Sequence, residues 1–220
     1  VCCKIRGVNR HTGKIGSWTI NADFAYVKTR VGRDEDQAKL LIAGGPRGET
    51  YCRVVDSRSG GTQDFKKFLT VLKRRYGATT VVTDGEEALK KFVHGVANSL
   101  NMETGVSRIE NPATNGRAEQ RVRVMKERIQ GVLEAVRSKG LSIGVTDFAF
   151  QYVVRHAEWL TNFALRSVVM EPGLKVSVWE SHTGRRTKDP QAGFMDRVLI
   201  HRAEDEAKQP RWHHGWYLGQ

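Results

Sequence analysis

Apolar and polar positions change period several times along the chain, and each change marks an element. Residues 17–28 (SWTINADFAYVK) alternate as a half-buried strand does. Residues 39–43 and 50–56 (TYCRVVD) are two further β-rich runs, and Gly44–Gly45–Pro46–Arg47–Gly48 between them has turn composition. Three strands joined in this way predict an antiparallel meander. The period then lengthens. Phe65, Phe68, Leu69 and Leu72 recur at helical spacing after Asp64, and Gly77 is the stop. Residues 79–83 (TTVVT) return to β composition. A helix over about 86–100 carries Leu89, Phe92, Val93, Val96 and Leu100 on one stripe, and residues 102–109 read as another strand. Asn-Pro and Asn-Gly between Glu110 and Gly116 mark a loop. The clearest helical pattern covers about 116–138, with Val122, Met125, Ile129, Val132, Leu133 and Val136 on its apolar stripe. A fourth helix, about 146–165, carries Phe148, Tyr152, Val153, Trp159, Leu160 and Phe163.

Past residue 166 the pattern loosens. Residues 166–192, with Pro172, Pro190, Gly173 and Gly184, read as irregular. Residues 194–220 regain β character at Arg197–His201 and Trp216–Leu218. The order is three strands, helix, strand and then helices. It predicts an α/β fold, a mixed five-stranded sheet flanked by helices, followed by a partial small β region. This order resembles the RNase H-like fold. The expected division is a basic linker at 1–16, a core at 17–166, a linker at 167–193 and the partial C-terminal β region at 194–220. The chain does not begin with Met and reads as a piece of something longer.

Composition narrows the partners. Hydrophobic residues make up 39% of the chain, enough for a core. Against 24 Asp and Glu stand 36 Lys and Arg, a formal net charge of +12. The basic residues are spread through both halves. A broadly positive surface predicts an acidic partner, of which nucleic acid is the commonest; a basic protein with no nucleic-acid role is the bland alternative. No apolar run approaches the ~18 residues of a membrane span. Three cysteines, two of them adjacent, imply no disulfide framework and suggest a reducing compartment. Cys2 and Cys3 cannot easily ligate one zinc together, so no zinc is expected in this stretch. Cys52 alternates with Val54 as a core thiol does. Lys73–Arg74–Arg75 reads as a solvated helix end in preference to a short phosphate patch or a targeting signal, and His213–His214 as a loop pair beside aromatic packing in preference to a metal site.

Three acids stand out by context. Asp84 closes the apolar run 79–83 and precedes Gly85, at a strand end, where functional groups collect in α/β folds. Asp23 sits mid-strand beside Phe24, where an aspartate is locally unfavourable. Glu119 opens the 116–138 helix, 35 positions after Asp84. Arg123 and Lys126 lie at i+4 and i+7 from it and share its face, and Arg117 and Arg121 add charge nearby. One reading of Glu119 is a surface ion pair with Arg123, worth a few tenths of a kcal/mol. The other is a metal-binding carboxylate beside phosphate-binding cations.

The string NGRAEQRVRVMKERIQ (115–130) resembles the Asn-Gly-x-x-Glu helix of retroviral and retrotransposon integrases, the Copia type above all. Thr83–Asp84–Gly85 is similar to the second-aspartate motif of that family, and the step to Glu119 is close to its spacing. Downstream, Glu158–Asn162, His182–Arg185, Phe194–Val198 and Arg211–Gly219 resemble the Copia-type segments after the core. Cys3–Gly7 resembles the tail of its zinc-binding region. Two departures are plain: Asp23 follows Asn21–Ala22 rather than an aliphatic residue, and no Gly-Pro follows it.

The resemblance implies a DDE-type polynucleotidyl transferase and endonuclease. Asp23, Asp84 and Glu119 would hold two Mg²⁺ or Mn²⁺ ions about 3.5–4 Å apart. The reactions would be 3′-end processing of the element's DNA and strand transfer into target DNA. Asn115, Arg117, Arg123 and Lys126 would contact the DNA. The partners would be the element ends, target DNA and further copies of the chain, and the site of action the nucleus. Two other readings stay open: another RNase H-like nuclease or transposase, and a catalytically silent DNA-binding domain.

Overall fold

The computed structural model describes residues 18–29, 36–55, 62–77, 79–107, 112–165, 168–170, 173–185, 193–201 and 212–218. The expected linker at 1–16, Cys2 and Cys3 fall outside them. Five strands form one sheet: β1 (Trp18–Val27), β2 (Ala38–Gly44), β3 (Thr50–Val54), β4 (Thr79–Thr83) and β5 (Glu103–Val106). Their spatial order is β3-β2-β1-β4-β5. The β1–β2 and β2–β3 pairs are antiparallel, as the meander predicts, and β1–β4 and β4–β5 are parallel. The parallel pairs need crossovers, supplied by α1 (Thr62–Tyr76) and α2 (Glu87–Asn98). This is the RNase H-like arrangement of a mixed sheet between helices.

Strand alternation sorts the core into two layers. Ile20 and Ala22 of β1, Leu41 and Ala43 of β2 and Val81 of β4 face α1 and α2, where Phe65, Leu69, Leu72, Leu89, Val93 and Val96 are buried. The opposite parity, Ala25, Val27, Leu40, Ile42 and Cys52, faces Met125, Ile129, Val132, Leu133 and Val136 of α3 (Pro112–Ser138) and Val153, Val154 and Ala157 of α4 (Phe150–Trp159). The apolar stripe of α3 is the expected one, but the helix begins at Pro112. Proline fits a first helical turn because its missing N–H has no partner to lose there.

Two expectations change. The fourth helix is expected from about 146, but α4 starts at Phe150 and gives way to a π-helical turn, Leu160–Ala164. Residues 167–193, read as an irregular linker, carry β6 (Val168–Met170), β7 (Leu174–Val176) and α5 (Val178–Thr183). Local chemistry explains this. Gly173, at φ +106°, permits the β6–β7 turn. Ser177 and Glu180 form a reciprocal capping box, and left-handed Gly184 closes the helix. The small β region, β8 (Arg197–His201) and β9 (Trp212–Trp216), is an antiparallel pair. It is tied to the core at Phe194, whose ring stacks on His156 at 4.8 Å and whose carbonyl accepts from Lys139 Nζ at 2.8 Å.

Candidate active site

The parallel β1–β4 register sets the site. Asn21 pairs with Val82 and Ala22 with Thr83, where β4 ends. Asp23 and Asp84 are therefore the next residues on adjacent strands. Both carry the parity that faces α3, because their neighbours Ala22 and Thr83 point the other way. Thr83 is buried, its hydroxyl 3.2 Å from His94 Nε2. Past the strand end, Asp84 Oδ1 accepts the Glu86 N–H at 3.0 Å, so its carboxylate is braced by its own turn.

On α3, Glu119 lies at the edge of the buried stripe, three residues before Val122. The first turns of α3 thus carry it over the middle of β1 and the end of β4. Asp23, Asp84 and Glu119 line one cleft of about 120 Å³, together with Asn21, Thr83, Ser107 and Ala118. Glu119 is exposed, and the two aspartates are half-buried. Among the described residues no three Asp, Glu, His or Cys side chains are gathered at metal-ligating spacing. The three carboxylates line one cleft without forming such a group.

Burial raises the Asp23 pKa, and the charge of Asp84 raises it further. The Phe24 N–H opposes this, while Glu86 and Glu119 add to it. The donor set is carboxylate only and therefore hard. It suits Mg²⁺ or Mn²⁺, whose charge would relieve the repulsion at Asp23. The chemistry of the residues fits a divalent cation.

The four expected DNA contacts do not share one face. Arg123 and Lys126 lie on the Glu119 side, and Arg123 turns to Glu127 at 3.8 Å. Arg117 is on the opposite side of α3 and lines a different cavity. The side chain of Asn115 lies outside the described residues. Arg121 also leaves the cleft. Its Nη2 donates to Gly45 O at 2.6 Å and its Nη1 to Glu49 O at 3.1 Å. It passes where a Cβ on Gly44 would sit, so a side chain there would displace the guanidinium. Two cleft residues are absent from the sequence-based set. Asn21 is legible in principle, since it lies two residues before Asp23 on the same strand face. Ser107 is not, because only the parallel β4–β5 pairing brings its N–H to Thr83 O at 2.7 Å.

A second polar centre lies under the β2–β3 turn. Glu49 is 5% exposed. Its carboxylate accepts from the Tyr76 hydroxyl and the Arg47 N–H, and lies 3.7 Å from Arg75. His182 Nε2 of α5 is 2.8 Å away, close enough for an ion pair though not aligned as a hydrogen bond. Burial works to raise the Glu49 pKa, but His182 and Tyr76 outweigh it and hold it at about 2. Asn162 of the π-helical turn adds two bonds to Thr50, donating to its carbonyl at 2.7 Å and accepting its N–H at 2.9 Å. Cys52 is the expected core thiol, pushed up to about 12 by burial.

The fold and its cleft define a class: an RNase H-like core with acids placed at β1, at the end of β4 and on α3. Among the solved structures that the chain is similar to are three from retroviruses. The intasome of simian T-cell lymphotropic virus matches 98% of this chain and 72% of its own at 13% identity, with TM-score 0.52. The catalytic core of BIV integrase matches 74% and 93% at 12% identity, with TM-score 0.46. The HTLV-2 integrase catalytic core, solved with magnesium, matches 78% and 99% at 14% identity, with TM-score 0.48. No family model and no curated protein matches the chain. The chain thus shares its RNase H-like fold with the integrase of that intasome.

Proposed function

We propose that this chain is the catalytic core of an integrase that processes the 3′ ends of a retroelement's DNA and joins them to target DNA. The observation that carries the reading is that Asp23, Asp84 and Glu119, remote in sequence, line one cleft. The Asn115–Lys126 string and Thr83–Asp84–Gly85 support a Copia-type origin. The same fold in an intasome supports DNA and further copies of the chain as partners; the nucleus as site of action follows only from the Copia-type resemblance.

Asp23, Asp84 and Glu119 would hold the divalent ions. When bound, two such ions supply Lewis-acid activation of an attacking oxygen and stabilise the leaving 3′ oxygen. The chain's own residues do the rest. Asp23 and Asp84, fixed by adjacent strands, set one wall of the site. Glu119, on a helix edge, closes the other. Arg123 and Lys126, one and two turns further on, hold the phosphates of the DNA end without reading its sequence. Water as nucleophile gives end trimming, and a 3′-OH gives joining. Both are in-line phosphoryl transfers with the same charge demands.

The test is Mg²⁺-dependent strand transfer by a chain carrying this core, compared with its Glu119→Gln variant. Joined DNA from the parent and none from the variant is expected. Equal activity in both removes Glu119 from the role, and release of nucleotides without joining indicates a nuclease of the same fold.

A further inference from the structure

The side of α3 away from Glu119 borders a second concavity of about 500 Å³, between the β2–β3 turn, α3 and the start of β6. Four arginines line it, Arg47, Arg117, Arg121 and Arg128, and among the described residues no Asp or Glu does, while the buried Glu49 acts on Arg121 from behind. Its floor is apolar, at Val124 and Leu165. On a helix of 100° per residue, positions 117, 121, 124 and 128 fall on one line. That line lies roughly 160° around the axis from Glu119, Arg123 and Lys126. The two basic faces of α3 are therefore back to back.

The four guanidiniums do not have the same duty. Arg121 is consumed by the turn carbonyls of Gly45 and Glu49. Arg47 lies over the rings of Trp18 and Tyr76, at 5.8 and 5.7 Å. Arg117 and Arg128 are exposed, and among the described residues neither has a carboxylate partner. Arg117 and Arg128, two exposed like charges on one concave face without a carboxylate partner among the described residues, repel each other, and an anion between them relieves that repulsion. From Arg117 to Arg128 the helix rises about 16 Å. One phosphate cannot span that distance, whereas one nucleic-acid strand, at about 3.4 Å per phosphate along the duplex axis, offers several across it.

We propose that this arginine pocket binds the backbone phosphates of a nucleic-acid segment, separate from the segment held at the acidic cleft and without need of a divalent ion. The proposal adds a second face to the DNA binding in the reading above. It is tested without catalysis, so each can fail alone.

The experiment is anisotropy of a labelled 20-base-pair duplex with the full 220-residue chain in EDTA, across a KCl series. Arg117→Ala with Arg128→Ala should weaken binding about tenfold and lower the salt slope by about 2. Arg117→Lys with Arg128→Lys should keep the slope, since it keeps the charge. Combining the alanine pair with Arg123→Ala and Lys126→Ala should lower the slope by both amounts. An unchanged slope in a normally melting alanine variant overturns the proposal. So does a lysine variant as weak as the alanine one. Displacement of the duplex by micromolar 5′-AMP also overturns it, because that marks a pocket for a small phosphate ester rather than a strand.

Discussion

Asp23 and Asp84 occupy successive positions beyond the last paired rung of two parallel strands, Ala22 with Thr83. The ladder stops where β4 ends, while β1 continues to Val27. Two acids are thus held side by side by backbone hydrogen bonds rather than by side-chain partners. That arrangement makes the site electrostatically unfavourable at Asp23.

Its consequence is a stability that depends on charge at Asp23. A carboxyl whose folded pKa is raised contributes most below its unfolded pKa, and that contribution is lost as pH rises through the folded value. At neutral pH Asp23 therefore opposes folding. Asp23→Asn should stabilise the fold in EDTA by no more than about 1 kcal/mol, given the solvent access of the cleft, and so raise the melting temperature. Mg²⁺ should raise the melting temperature of the parent and not of the variant. Calorimetry at pH 7 with and without Mg²⁺ checks both, and a variant that melts lower in EDTA refutes the first.

Arg123 and Lys126 form the cation pair on the cleft side. Replacing both with alanine should lower the salt slope of duplex binding by about 2 without changing the fold, since Arg123 is exposed and its pair with Glu127 is worth only a few tenths of a kcal/mol. An unchanged slope would remove this face from DNA binding.

Glu49 gives the opposite pH dependence. Its folded pKa of about 2 lies below the ordinary 4.5. Its contribution is present above 4.5 and lost as pH falls toward 2, on the order of 3 kcal/mol in all. Chemical denaturation at pH 6, 4 and 3 should show that fall. Glu49→Gln should be destabilised at pH 6 and nearly flat over the same window. A variant with the parent's acid sensitivity would show that another carboxylate is responsible.

Gly44→Ala places a Cβ in the path of the Arg121 side chain. The guanidinium would have to leave the carbonyls of Gly45 and Glu49. A loss of about 1–3 kcal/mol is expected. Pairing it with Arg121→Ala should recover part of that loss, and strictly additive losses would show that the two do not meet.

Much of the fold is legible in the residues alone. The two-residue period of 17–28 and the turn at Gly44–Gly48 define the meander, and the stripe from Val122 to Val136 defines the face that α3 buries. Both follow from solvent, which sorts side chains by polarity at the period of each backbone form. The same logic misjudges 167–193, where a three-residue pair of strands and a six-residue helix are too short to show a period. Capping and a left-handed glycine hold them instead.

What the linear chain cannot decide is direction. Arg117, Arg121, Arg123 and Lys126 crowd one short string, and charge alone gives them one role. Their angles around α3, and the turn that meets one side of it, send Arg117 and Arg121 away from the acids. Likewise, Asp23 and Asp84 become neighbours only through a parallel register set by a crossover through α1. Local sequence determines which groups are buried and which element each residue enters. Contacts between residues far apart in the chain determine which charges share a cleft, because they depend on how the sheet and helices pack rather than on any residue's own preference.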